Sequence, residues 1–228
     1  MPRIVAGHDK RDLGRYSIPE AATFIAVPAR TMRRWFLGEQ RFFIPSFHSG
    51  TNVLLSFNDV TEAYIVEALR NHWDFGPHSI RKILAQLRKS TKLERPLIQR
   101  PLAVIPEFKS VVAMVPSKGR TIYPDVAHDQ NLVFADFVRA MGMRIKRDAR
   151  GKPVRIFPWR DSESQEQPVS MDPDVMSGEL VVTGTRIPAV RIYANYVAGK
   201  SPEKIADSYS LPHELVGKVI QHFEPEKS

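Results

Sequence analysis

The chain has no cysteine among its 228 residues. Disulfides, thiolate nucleophiles and cysteine-built zinc sites are therefore excluded, and a reducing cytoplasm is the expected compartment. Nowhere do about 18 apolar residues run together, so no bilayer-spanning segment is expected. Met1 to Lys10 lacks the apolar core of a signal peptide. The phosphate-cradling and nucleophile motifs G-x-x-x-x-G-K-[ST], G-x-G-x-x-G and G-x-S-x-G are missing. The 7 histidines are scattered without the spacing a metal site requires. No cofactor, metal or catalytic activity is expected, and tandem repeats and low-complexity tracts are absent.

Positive charge is present in excess, and it is unevenly placed. The net charge is +8. Residues 1–95 carry +6, residues 96–167 carry +4 and residues 168–228 carry −2. A basic front and a slightly acidic rear suggest nucleic acid at one end and another partner at the other. Three blocks follow the same divisions: a helical block at 1–95, a strand-rich block and linker at 96–167, and a C-terminal helical unit at 168–228. The expected class is α+β, with an N-terminal winged helix-turn-helix, a small β-rich middle domain and a C-terminal helix-turn-helix-like unit.

In the first block Ser17 and Glu20 form a capping box, with Pro19 in the first helical turn. A short helix to Phe24, a turn at Ile25-Ala26-Val27 and a helix from Pro28 to about Phe36 follow. Ala29, Met32 and Trp35 make an apolar stripe, whereas Arg30, Arg33 and Arg34 share the opposite side. Two β-prone runs around His48-Ser49-Gly50-Thr51-Asn52 read as a wing. Ser56 and Asp59 open a third helix, and Gly76-Pro77 a fourth whose Ile80, Ile83, Leu84 and Leu87 make one packed face. The middle block offers a hairpin with strands at Lys109–Val115 and Arg120–Tyr123, a helix at Leu132–Met141, and a hairpin from Met143 to Phe157. The third block offers strand and turn, then helices starting near Ala189, Pro202 and Pro212.

Tyr16-Ser17-Ile18-Pro19-Glu20-Ala21-Ala22, Val27 and Thr31-Met32-Arg33-Arg34-Trp35 resemble a MerR-type winged helix-turn-helix. So do Leu55-Ser56-Phe57-Asn58-Asp59-Val60 and Ile80-Arg81-Lys82-Ile83-Leu84. The chain departs from that pattern at Ala26, where glycine is usual, and at Pro28, where a serine cap is common. The third block resembles a second, small bacterial family attached to toxin–antitoxin loci. Asp172-Pro173, Met176-Ser177-Gly178, Gly184-Thr185-Arg186-Ile187-Pro188 and Ala198-Gly199-Lys200-Ser201-Pro202 carry that resemblance. The combination is similar to VapB-type antitoxins. It implies an operator-binding autorepressor that neutralises a PIN-type ribonuclease toxin.

The residues expected to meet DNA are Arg30, Thr31, Arg33 and Arg34, with Arg41 and His48 near the wing. Trp35, Phe36, Phe42, Phe43 and Phe47 are expected in the core rather than stacked on bases. Arg186 and Arg191 are the candidate contacts to a protein partner, although Arg186 also reads as a side chain holding its turn to a nearby carbonyl. A homodimer is expected, because one helix-turn-helix reads few base pairs. Rival readings are a ligand-responsive MerR-like regulator, which would need a sizeable apolar pocket within 96–160, and a DNA-processing enzyme, which would need clustered nucleophiles or carboxylates.

Overall fold

The computed structural model describes residues 9–71, 74–99, 143–158 and 166–224, together with the backbone of strands at 102–105, 110–113, 115–117 and 120–122. The fold is α+β. Helix α1 (Ile18–Phe24) starts at the expected capping box: Glu20 N–H donates to Ser17 Oγ and Ser17 N–H to Glu20 Oε2, each at 3.3 Å. Two N–H groups without helical partners are thereby satisfied. A tight turn leads to α2 (Ala29–Leu37), which buries Met32, Trp35 and Phe36 against α1 and its surroundings. Strands β1 (Phe47–Ser49) and β2 (Asn52–Leu54) form the wing as an antiparallel pair.

Helix α3 (Phe57–Asn71) carries the expected cap, with Ser56 N–H donating to Asp59 Oδ2 at 2.8 Å and Asp59 N–H to Ser56 Oγ at 3.1 Å. Every residue from Phe57 to Val66 is buried, so α3 is enclosed on all sides rather than along one stripe. Helix α4 (Pro77–Thr91) buries Ile80, Ile83, Leu84 and Leu87, the single face its periodicity indicates. A short helix α5 (Pro96–Gln99) follows.

In the middle block β3 (Leu102–Ile105) pairs with β4 (Ser110–Ala113), and β5 (Val115–Ser117) with β6 (Arg120–Ile122). The single strand expected over Lys109–Val115 is thus divided between two hairpins. Strand β3 was not anticipated, because Pro101 and Pro106 bracket Leu102-Ala-Val-Ile105 and read as breakers. The expected helix at Leu132–Met141 lies outside the described residues. The second hairpin is present as β7 (Ile145–Arg147) and β8 (Pro153–Ile156), its turn closed by Arg150 N–H and Lys152 N–H donating to Asp148 Oδ1 at 2.9 Å.

Strand β8 continues into a sheet with β9 (Val169–Met171) and β10 (Leu180–Val182), in the order β10-β9-β8-β7. Strands from both sides of the boundary after Gln167 thus share one four-stranded sheet. Helices α6 (Ala189–Val197), α7 (Pro202–Tyr209) and α8 (His213–Phe223) complete the C-terminal unit. One contiguous apolar core runs from Tyr16 to Ile220.

The N-terminal and C-terminal units meet at a strained turn. Met176, Ser177 and Gly178 are consecutively left-handed, with φ of +46°, +58° and +88°. Tyr16 Oη donates to Gly178 O at 3.0 Å, and Arg15 Nη1 to Ser177 O at 3.1 Å. Burial pushes the Tyr16 phenol well above its usual range, so it stays a neutral donor. A Cβ at position 178 would overlap the Tyr16 hydroxyl, so only glycine fits both the φ and the approach. Gly178→Ala is expected to cost about 2 kcal/mol or more, through strain and the lost contact, and Tyr16→Phe about 1 kcal/mol. Urea unfolding of the full chain measures both; equal stability of Gly178→Ala and wild type would contradict the close packing of this seam.

Candidate nucleic-acid interface

The turn between α1 and α2 is built without glycine. Ala26 takes φ +55°, and Ala26 N–H and Val27 N–H donate to Thr23 O at 3.2 Å and Ala22 O at 2.9 Å. The left-handed geometry is kept where the sequence departs from glycine, at a conformational cost of about 1 kcal/mol. Pro28, with φ −57° and ψ 132°, feeds α2 directly and provides no side-chain cap.

Because α2 buries Met32, Trp35 and Phe36, the helical repeat turns Arg30, Arg33 and Arg34 outward, and all three are exposed. None of them is tied to a carboxylate or carbonyl among the described residues. Three other arginines are committed inside the molecule. Arg11 pairs with Asp9 at 2.7 Å and Asp148 at 3.0 Å, Arg155 with Asp172 at 2.8 Å, and Arg95 with Asp59 at 2.8 Å and Glu62 at 2.7 Å. Thr31 is half-buried at the side of α2, Arg41 is exposed on the segment leading to the wing, and His48 is exposed on β1. The structure thus gathers Arg30, Arg33 and Arg34 on one face and distributes Arg41 and His48 over the segment that follows.

Of the aromatics expected in the core, Trp35, Phe36, Phe42 and Phe43 are buried. Phe47 is not: it is 43% exposed on β1, and nearby Ile44 is 74% exposed. A three-residue strand at the molecular edge has no second layer to cover its outer side chains. Arg186 and Arg191 belong to another element, α6 and the turn before it, and both are exposed. The turn-holding role considered for Arg186 belongs to Thr185 instead, whose hydroxyl donates to Val182 O at 2.8 Å and accepts from Ile187 N–H at 3.0 Å. Asp172 acts as its Asp-Pro context indicates, its Oδ1 accepting from Asp174 N–H at 2.8 Å.

Two features beneath the site escaped sequence reasoning. His222 on α8 is buried, and its Nε2–H donates to Phe24 O at 3.0 Å, satisfying a carbonyl at the end of α1. The second is the charge cluster Asp59–Glu62–Arg95 beside a cavity of ≈ 330 Å³ whose lining includes Asp12, Ser46, Asn58, Arg95 and Lys152. That lining is mostly polar and charged, with Ile98 and Pro153 as its apolar members. The available signal was Glu62 itself, a carboxylate flanked in sequence by Val60, Ala63, Tyr64, Ile65 and Val66.

Residues 169–221 match the family model described as a protein of unknown function, DUF433. The match opens at the first residue of β9 and ends inside α8. In fold, the chain is similar to the crystal structure of Rv2018 from Mycobacterium tuberculosis, with a TM-score of 0.63 and 19% identity, covering 92% of this chain and 99% of that one. No curated protein matches. Among the described residues no group of His, Asp and Glu is placed to hold a metal, and no helix is long and apolar enough to cross a membrane.

Burial pushes the Glu62 carboxyl up to about 7, with Arg95 opposing the rise and Asp59 adding to it. Between the ordinary 4.5 and about 7 the folded chain keeps a proton that the unfolded chain releases. Stability should therefore fall as pH rises through that window and change little from this group outside it. Glu62→Gln should match wild type below pH 4.5 and lack the decline. Urea titrations across the window test this, and an unchanged slope in the variant would show that Glu62 is ionised in the folded state.

Proposed function

We propose that the protein is a sequence-specific DNA-binding autorepressor of the antitoxin type, built on a MerR-like helix-turn-helix. The observation that carries the DNA-binding half is the trio Arg30, Arg33 and Arg34, exposed on the outward face of the second helix without a side-chain partner among the described residues and followed by a hairpin. Unpaired guanidiniums on such a helix suit base edges and phosphates, and Arg41 and His48 are placed to add backbone contacts. Two copies would read paired half-sites as a homodimer.

The second half of the proposal is neutralisation of a PIN-type ribonuclease encoded alongside, with Arg186 and Arg191 among the contacts. A guanidinium fork suits the carboxylates of a metal-dependent nuclease site. What supports this half is that both arginines are exposed and without a side-chain partner among the described residues, on a unit whose net charge of −2 suits phosphates poorly.

Fluorescence anisotropy with the DNA upstream of its own gene tests the first half. Single alanine substitutions at Arg33 or Arg34 are expected to cost about 1–3 kcal/mol and relax specificity where a base is read. A phosphate contact would weaken all sequences alike and reduce the salt slope. Wild-type affinity in the triple variant Arg30→Ala/Arg33→Ala/Arg34→Ala would refute the assignment of α2. Co-expression with the gene adjacent to its own tests the second half: relief of that gene's toxicity is expected, and failure of the full chain to relieve it would end this reading. Point variants are the suitable probes there, because removing residues 168–228 would strip β9 and β10 from their sheet.

A further inference from the structure

Helix α6 has two unlike faces. Ala189 and Ile192 are buried, and Tyr193 stacks on Phe223 of α8 with ring centroids 5.0 Å apart. The other face is apolar and uncovered. Val190 is 49% exposed and Val197 68%, with Ala194 exposed between them at helical spacing i, i+4, i+7, and Tyr196 beside them. Val190, Tyr196 and Val197 account for three of the five large apolar side chains exposed among the described residues.

The charge along α6 and its flanking turns has one sign. Residues 184–200 contain Arg186, Arg191 and Lys200 and no carboxylate, although the C-terminal block as a whole is net −2. Neither arginine is engaged by the protein among the described residues, and with Thr185 holding the turn, Arg186 has no structural task there. Three of the block's eight acids are paired with cations away from this stripe: Asp172 with Arg155, Asp174 with Lys10 and Glu214 with Lys218.

We infer that the outer face of α6 is a docking surface for a different protein, one presenting an apolar patch rimmed by carboxylates. The stripe needs an apolar complement, because burying Val190 and Val197 is the main gain available and phosphates would leave it unrealised. Arginine and tyrosine around an apolar centre are the composition of an energetically dominant interface patch. A second copy of this chain is a poor complement. Its other exposed large apolar residues among those described, Ile44 and Phe47, have Arg41 and His48 as neighbours, so basic rims would face one another. This inference deepens the reading of the C-terminal unit as partner-binding and rests on it, but not on the partner being a nuclease.

The test places a photo-crosslinking amino acid at Val190, at Val197 and, as a control, at exposed Lys204 on α7, in the full chain expressed in its own cells. The expected result is a crosslink from 190 and 197, but not from 204, to one protein other than this chain. With that protein purified, Val190→Asp/Val197→Asp should weaken binding at least tenfold, Arg186→Glu/Arg191→Glu should do the same with a reduced salt dependence, and circular dichroism should be unchanged. Crosslinks to a second copy or to nucleic acid, no crosslink at all, or equal binding by the Val190→Asp/Val197→Asp variant would each overturn the proposal. A crosslinked protein that lacks ribonuclease activity would refute the toxin-neutralising reading and leave this surface in place.

Discussion

Helix α1 is held at both ends by residues from the far end of the chain. Tyr16, just ahead of it, hydrogen-bonds Gly178, 162 positions away, and Phe24 at its last turn accepts from His222, 198 positions away. A seven-residue helix has little stability of its own, since nucleation is costly and most helical stability comes from packing. The turn that follows adds strain at Ala26. The α1–α2 pair therefore depends on the C-terminal unit, and the orientation in which α2 presents its arginines rests on contacts from the far end of the chain.

The same dependence explains the treatment of charge. Full burial of α3 encloses Asp59 and Glu62, and enclosed carboxylates are tolerable only when paired or protonated. Arg95 reaches both, and Glu62 remains close to neutrality. Arg11 and Arg155 tie the front and the linking hairpin to neighbouring acids in the same way. Once these internal pairs are made, the arginines without a side-chain partner among the described residues on α2 and around α6 form two separate cationic surfaces, the second around an apolar stripe.

Much of the local structure was legible in the residues. Ser17 with Glu20, Ser56 with Asp59 and Ser201 before Pro202 mark helix starts because each hydroxyl meets N–H groups that a helix leaves unpaired. The exposed trio on α2 follows from helical spacing alone. The strand pairings were less legible, since prolines around Leu102–Ile105 concealed one strand and a polar linker concealed the pairing of β8 with β9. The exposure of Phe47 and the release of Arg186 were also not readable, because each depends on which neighbours cover or replace the side chain.

The sequence by itself determined where most of the described helices begin and which face of α2 carries its arginines, because capping and periodicity act over a few residues. Only the tertiary structure decided that the C-terminal unit grips α1, that α3 is enclosed with its carboxylates, and that one face of α6 is left uncovered. These outcomes depend on close approach between residues far apart in the chain: a hydroxyl against a glycine with left-handed φ, an imidazole on a helix-terminal carbonyl, a guanidinium between two carboxylates. No local pattern encodes such meetings, since each partner alone has an ordinary alternative in water.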